Sequence, residues 1–87
     1  MDLYKVEIKK SVLKELYSLD KKIIPNIIQN IKNLSKNPRP YNSIKLWGTK
    51  TSYRIPVGNY RIVYQIDDDN KIVIVYRAKH RKDVYRW

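Results

Sequence analysis

The sequence of 87 residues contains no cysteine, no phenylalanine, one histidine and only two glycines. Without cysteine the chain cannot form a disulfide, a thiolate nucleophile or a cysteine-ligated zinc or iron–sulfur site. One histidine cannot form a zinc site by itself, so we expect no metal and no cofactor. The missing cysteines also favour an intracellular compartment, and the cytoplasm is the expected location.

Long hydrophobic runs and acidic residues are scarce too. No run approaches the roughly 20 apolar residues of a membrane span, and Asp2 and Glu7 stand where a signal peptide would begin, so no membrane association is expected. Nineteen Lys and Arg against eight Asp and Glu leave a formal net charge of +11, on a chain that is 43% hydrophobic. This predicts one folded basic domain, residues 1–87, with a polyanionic partner: nucleic acid first, an acidic protein second.

The first half of the chain predicts a strand followed by two helices. Apolar and charged residues alternate at the period of a half-buried strand, with Tyr4, Val6 and Ile8 as its apolar members. Ser11 is the expected cap of a helix whose apolar residues recur at three- and four-residue spacing. Asp20 is the expected N-cap of a second helix, which ends before Asn37-Pro38.

The second half predicts three strands between residues 53 and 79, from runs of β-branched and aromatic residues. Gly58-Asn59 forms a two-residue hairpin loop, and a loop of that length determines which residues face each other. One face is then apolar: Tyr53, Ile55, Val57, Tyr60, Ile62 and Tyr64. The opposite face carries Arg54 and Arg61 as diagonal neighbours.

The turn within Asp67 to Asn70 leaves the register of the last strand open. An odd loop is favoured because it puts like residues together, and an even loop would reverse the two faces. With an odd loop the apolar face gains Ile72, Ile74, Tyr76 and Ala78. The face of Arg54 gains Arg77, Lys79 and Arg81. His80 then lies on the other face of the sheet from Arg81.

Basic and aromatic residues gather beside one predicted sheet face. The cluster is Arg54, Arg61, Arg77, Lys79, His80, Arg81, Lys82, Tyr85 and Arg86. Positive charge interleaved with stackable rings is what recognition of single-stranded RNA requires. A metal-free ribonuclease needs cations for the phosphorane and two groups that move protons, for which His80, Tyr85 or a lysine is suitable.

Several of these residues have a purely structural interpretation as well. Solvated arginines and lysines commonly line the strands of small proteins, His80 suits a surface position, and Tyr85 can pack the end of the chain. The carboxylates from Asp67 to Asp69 are typical of a solvated turn. Trp47 is expected to anchor a loop, and the other tyrosines to lie in the core or at its edge: Tyr4, Tyr17, Tyr41, Tyr53, Tyr60, Tyr64 and Tyr76.

The order of elements and residues 53–86 resemble the RelE branch of the RelE/ParE toxin superfamily. The resemblance rests on Tyr53-Arg54-Ile55-Pro56-Val57, on the segment from Gly58 to Tyr64, and on the ending from His80 to Tyr85. Each motif is weak alone, and together they are specific. The resemblance covers nearly the whole chain and implies an α+β fold, with an N-terminal strand and a two-helix hairpin packed on a small antiparallel sheet.

The resemblance also implies a function, namely the toxin of a type II toxin-antitoxin system. Such a toxin cuts messenger RNA in the ribosomal A site, inhibits translation, and is held inactive by a cognate antitoxin that wraps it. Attack by the neighbouring 2′-hydroxyl, the route open without metal, leaves a 2′,3′-cyclic phosphate and a 5′-hydroxyl. The alternatives are a ParE-like toxin of the same fold that inhibits DNA gyrase, and a non-catalytic RNA- or ribosome-binding module.

Site residues follow from the resemblance position by position. Arg61 matches the phosphate-contacting arginine, Arg81 the late arginine that assists departure of the leaving group, and Tyr85 the C-terminal tyrosine that acts as base or stacks on substrate. Pro56 stands where well-studied members carry a lysine, so His80 is expected to share the proton transfer. The expected RNA-binding residues are Arg54, Arg77, Lys79, Lys82 and Arg86.

Overall fold

The described part of the chain, residues 3–84 of a computed structural model, forms one five-stranded sheet with helices on it. In chain order the elements are β1 Lys5–Ile8, α1 Lys10–Tyr17, α2 Ile24–Asn33, β2 Ile44–Lys45, β3 Ser52–Val57, β4 Tyr60–Asp67, β5 Ile72–His80 and α3 Arg81–Val84. The strand order across the sheet is β1-β5-β4-β3-β2. None of the helices within this part is long and apolar enough to cross a membrane.

The sheet is antiparallel from β2 through β5, and β1 joins the other edge in parallel to β5. A parallel neighbour requires a long crossover, and the segment with α1 and α2 is part of that connection. The predicted α+β fold with a helical pair on the sheet is confirmed. The two-residue strand β2 and the parallel pairing of β1 were not predicted.

Neither α1 nor α2 begins at a side-chain cap. The N–H of Lys9 donates to the carbonyl of Val75 at 3.0 Å, so the chain leaves β1 there and α1 starts at Lys10, with no side-chain cap. The prediction that Ser11 caps this helix is therefore wrong. Asp20 Oδ1 accepts from the N–H of Lys22 at 3.0 Å in a turn before α2. Because α2 itself starts at Ile24, the prediction that Asp20 is its N-cap is also wrong.

The core lies between the helices and one face of the sheet. Its helical members are Val12, Leu16, Ile27, Ile31 and Leu34, and its strand members are Ile55, Val57, Ile62, Tyr64, Ile66, Val73, Val75 and Ala78. Tyr64 is fully buried, and its hydroxyl donates to the carbonyl of Pro38 at 2.7 Å. Burial disfavours the phenolate and raises the pKa of Tyr64 to about 12.

The β3–β4 hairpin has the predicted register. Val57 faces Tyr60 across the loop, and the pairing continues to Ser52 opposite Gln65. Gly58 has a φ of +59°, whereas Asn59 has a negative φ, the pattern of a type II′ turn. The apolar face predicted from this register is confirmed, with Tyr53 and Tyr60 partly buried at its edge.

The β4–β5 hairpin differs from the prediction in two ways that offset each other. Asp67 pairs with Ile72, so the loop 68–71 is even, and Val73 and Val75 face the core instead of Ile72 and Ile74. A β-bulge then shifts the phase, because Tyr64 pairs with Val75 while Val63 pairs with Arg77. Beyond the bulge the predicted faces are restored, with the inward-facing Ala78 opposite Ile62 and Lys79 opposite Arg61.

An ion pair ties two turns together at the far end of the sheet. Arg39 donates from both terminal nitrogens to the carboxylate of Asp68, at 3.2 and 2.6 Å, and from Nε to the hydroxyl of Tyr53. Tyr4 donates to the same carboxylate at 2.5 Å. The Arg39 guanidinium is the largest influence that holds the pKa of Asp68 at about 2, below its usual 3.8.

We predict that deletion of Tyr76 is better tolerated than deletion of Val75. Either deletion removes the bulge and leaves Arg77 opposite Val63, but the second one moves the tyrosine ring into the inward position opposite Tyr64. Overpacking of this kind costs about 1–3 kcal/mol, so the Val75 deletion should have the lower free energy of unfolding by that amount. Urea denaturation followed by circular dichroism measures it, and equal midpoints for the two deletions would contradict the bulge assignment.

We also predict that Asp68 contributes stability that acid removes. Its folded-state pKa of about 2 lies below the ordinary 3.8, so the contribution is present above pH 4 and is lost as the pH falls toward 2. Asp68→Asn should lower the melting temperature at pH 7 and flatten its decline between pH 4 and pH 2. Asp69→Asn removes the same charge one residue away and is the control. If both variants melt alike at every pH, the ion pair is not stabilising.

Candidate functional site

Four basic residues lie together on the sheet face opposite the core, and we call Arg54, Arg61, Arg77 and Lys79 the arginine face. The pairing places them in two rows across the strands. One row runs Ile44, Arg54, Val63 and Arg77, and the next runs Pro56, Arg61 and Lys79. Directly paired residues have Cα atoms roughly 4.5–5.5 Å apart, and Arg54 and Arg77, two strands apart, are separated by about 10 Å.

Val63 is fully buried although it lies on this face. Its neighbours across the two ladders are Arg54 and Arg77, which are themselves only partly exposed. Long basic side chains lay their aliphatic stems along apolar surface and keep the charged end in water. The valine therefore provides apolar surface on which the aliphatic stems of Arg54 and Arg77 can lie.

The turn between β3 and β4 positions the Arg61 side chain and the backbone of Arg81. Arg61 Nη1 donates to the carbonyls of Gly58 and Tyr60, at 2.9 and 2.8 Å, so its guanidinium is held over the turn. The N–H of Arg81 donates to the carbonyl of Asn59 at 2.8 Å, which fixes the start of α3 beside the same turn. Arg61 and Arg81, 20 positions apart in sequence, therefore lie at one corner of the sheet. The resemblance implied that these two residues share a site.

His80 lies on the other face of the sheet. Its ring packs edge-on against Tyr60, with ring centroids 5.4 Å apart, and its Nδ1 accepts from the N–H of Lys82 at 3.2 Å. A cleft of about 350 Å³ adjoins it on the side of α1. The cleft is lined by Glu15, Leu19, Tyr60, Lys79, His80 and Asp83, among others. The predicted position of His80 opposite the basic row is confirmed, and this places its ring away from the arginine face.

The remaining predicted site residues follow β5. Arg81 and Lys82 are exposed on α3, directly after the strand that carries Arg77 and Lys79. Tyr85 and Arg86 lie outside the described residues. Within residues 3–84, no three His, Asp or Glu side chains are grouped closely enough to hold a metal ion. The described part of the site is therefore a set of cations suited to binding phosphate.

Three aromatic residues are more exposed than the sequence predicted. Trp47 is 100% exposed, so the prediction that it anchors a loop is wrong. Tyr41 and Tyr17 are 102% and 89% exposed, and the prediction that they lie in or beside the core is wrong too. The sequence did contain a sign that Trp47 is exposed. Trp47 lies between Lys45 and Lys50, in a stretch without a single acidic residue.

Comparison with known proteins gives the family. A family model described as "ParE toxin of type II toxin-antitoxin system, parDE" matches residues 6–85. The chain belongs to the RelE/ParE family of type II toxins. It is 30% identical over 86 residues to the putative toxin RelE1 of Methanocaldococcus jannaschii, a match that covers 95% of this toxin and 96% of that one.

Two further relatives agree with this assignment. Toxin RelG of Mycobacterium tuberculosis is 31% identical over 88 residues, covering 95% of this toxin and 97% of RelG. The crystal structure of the archaeal RelE-RelB complex from Pyrococcus horikoshii superposes with a TM-score of 0.81 at 32% identity, covering 93% of this toxin and 97% of that chain. The resemblance drawn from the residues 53–86 is confirmed at the level of the family and the fold.

Proposed function

We propose that this toxin is an endoribonuclease that cuts messenger RNA on the ribosome without a metal ion. The observation that carries the proposal is the arginine face, where four cations from three adjacent strands lie beside the turn that anchors Arg81. Cations placed in advance around a phosphate stabilise the charge that develops in the transition state. The RelE and RelG names of the relatives support the same activity.

In the proposed reaction the 2′-oxygen of the nucleotide before the cut attacks the phosphorus. The bond from phosphorus to the 5′-oxygen breaks, leaving a 2′,3′-cyclic phosphate and, after that oxygen takes up a proton, a 5′-hydroxyl. Arg61 would stabilise the pentacoordinate phosphorane, and Arg81 would stabilise the departing oxygen. Arg54, Arg77 and Lys79 would hold the flanking phosphates, with Lys82 and Arg86 contributing from the C-terminal segment.

Two groups are proposed to move the protons, Tyr85 and His80. The 2′-hydroxyl must lose a proton to a base, and a tyrosine serves only where neighbouring cations lower its pKa. The ring of His80 packs on Tyr60, across the sheet from Arg61. We therefore assign the base role to Tyr85 first and keep His80 as the second candidate.

The proposed partners are the ribosome with its bound message and a cognate antitoxin. The relative from Pyrococcus horikoshii was crystallised as a complex with RelB. A domain with a formal charge of +11 is attracted to ribosomal RNA, and an antitoxin that covers the arginine face would block this association.

Replacing Arg61 with alanine should reduce cleavage about 10²–10³-fold, since one positioned donor to a developing oxyanion contributes that much. The measurement is the rate at which new RNA ends form in a translating extract after the purified toxin is added. Arg61→Lys keeps the charge but has one ammonium group in place of the planar guanidinium fork. Its cleavage rate should therefore lie between those of the unmodified toxin and Arg61→Ala.

Lys14→Ala is the matched control, because Lys14 is exposed on α1, on the other side of the sheet. If Arg61→Ala cuts as fast as Lys14→Ala, the site assignment fails even when cleavage itself is observed. Tyr85→Phe and His80→Gln in the same assay test the two proton-transfer candidates, since a residue that moves neither proton should cut as fast as Lys14→Ala.

A single 2′-deoxy substitution in the message should abolish cutting at that position alone, because the nucleophile is missing there. Cutting at unmodified positions in the same message is the internal control. Mass spectrometry of the fragments should find 2′,3′-cyclic phosphate ends at the remaining cuts. A cut at the 2′-deoxy position would mean that water attacks instead, and the proposed mechanism would be wrong.

Inhibition of DNA gyrase is the second candidate, since the matching family model carries the ParE name. The same extracts separate the two activities. Gyrase inhibition predicts loss of DNA supercoiling with no new RNA ends, whereas the proposed nuclease predicts new ends and unchanged supercoiling. A non-catalytic RNA- or ribosome-binding module would inhibit translation with neither effect.

A further inference from the structure

The segment between α2 and β3 exposes three large apolar side chains within seven residues. Trp47 and Tyr41 are fully exposed, and Ile44 is 52% exposed. Single exposed hydrophobic residues are common, but a concentration of them at one place marks a surface that binds something. Tryptophan and tyrosine rings normally bury much of their surface in a folded domain, so the two fully exposed rings are the unusual part of this surface.

The charge around these rings has one sign. No acidic residue occurs between Asp20 and Asp67, and the 46 residues in between carry nine Lys and Arg. Lys45 and Lys50 lie two positions before and three positions after Trp47, and both are exposed. A fully exposed ring with lysines near it is suited to a ligand that is both flat and anionic, which describes a nucleotide.

The same segment is continuous with the arginine face. Ile44 pairs with Arg54 across β2 and β3, so its side chain extends the row of Arg54, Val63 and Arg77 by one strand. Trp47 follows Ile44 by three residues, which puts its Cα at most about 16 Å from that of Arg54. A strand of RNA bound along this row would reach the loop within a few nucleotides.

We propose that Trp47 is a stacking platform for a base of single-stranded RNA that lies outside the reacting pair of nucleotides. The proposal rests on the proposed function and adds a binding subsite to it. Every base has a face that can stack on an aromatic ring, so such a contact adds affinity with little sequence preference. Lys50, which is exposed three positions after the ring, would hold a neighbouring phosphate. The exposed lysines near the ring, and the lack of acidic residues between Asp20 and Asp67, favour RNA over a protein segment as the occupant.

The test is direct binding of a short single-stranded RNA with 2′-deoxy residues, which cannot be cut. In a Trp87→Phe background Trp47 is the one remaining tryptophan, and RNA should quench its fluorescence. Trp47→Ala should weaken binding about tenfold, measured by anisotropy of labelled RNA, and Trp47→Phe should recover most of the loss. Thermal melting should be unchanged in both variants, since the side chain is fully exposed.

Salt dependence separates stacking from charge. Trp47→Ala should leave the slope of log affinity against log salt unchanged, whereas Lys50→Ala should reduce it by about 0.7, the value for one phosphate contact on a single strand. Tyr17→Ala is the matched control, because Tyr17 is an exposed ring on α1, on the other side of the sheet. It should bind RNA as the unmodified toxin does.

Unchanged RNA affinity in Trp47→Ala, or an equal loss in Tyr17→Ala, would overturn the proposal and leave a protein partner as the occupant of this surface. The outcome is independent of cleavage. If Trp47→Ala loses RNA affinity and the unmodified toxin produces no RNA ends in a translating extract, the subsite stands and the nuclease fails. If the unmodified toxin cuts and Trp47→Ala cuts with an unchanged KM, the nuclease stands and the subsite fails.

Discussion

The pairing of β3 with β4 across the turn at Gly58 is the constraint on which the rest of the structure depends. A two-residue loop permits one register, and because strand side chains alternate, that register assigns every residue of both strands to the core or to the arginine face. The same turn has two other roles. Its carbonyls accept hydrogen bonds from the guanidinium of Arg61 and the N–H of Arg81. Folding of the core and assembly of the cationic site are therefore the same event, and neither can be correct without the other.

The part of this arrangement that local sequence determines could be predicted, and the part set by distant pairing could not. The β3–β4 register needs only the glycine and the loop length, so both faces were predicted residue by residue. In β5, an even loop and a bulge at Tyr76 both change the phase, and their effects offset each other beyond the bulge. The prediction of an odd loop therefore assigned Arg77 and Lys79 to the correct face of the sheet and Ile72 and Ile74 to the wrong one. A bulge appears only when both strands are aligned.

The starts of the helices and the exposure of the aromatic rings were also not predictable from local sequence. Ser11 and Asp20 have the residue types of N-caps, yet hydrogen bonds from Lys9 to β5 and within the turn before α2 determine where the helices begin. Apolar composition likewise assigned Trp47 and Tyr41 to structural positions, because a hydropathy pattern does not tell a core ring from a binding ring. Family motifs named Arg61 and Arg81 as members of one site, which stays a prediction; in the structure the Arg61 guanidinium and the Arg81 N–H both donate to the turn between β3 and β4.

The parallel pairing of β1 with β5 has a consequence for synthesis of the toxin. β1 begins at Lys5 and its hydrogen-bonding partner begins at Ile72, so β1 has no neighbour in the sheet until β5 has been synthesised. Before then α1 lacks the strand it packs against, and the cationic rows lack Arg77 and Lys79. The two cationic rows are therefore complete only after β5 has been synthesised and has paired with β4.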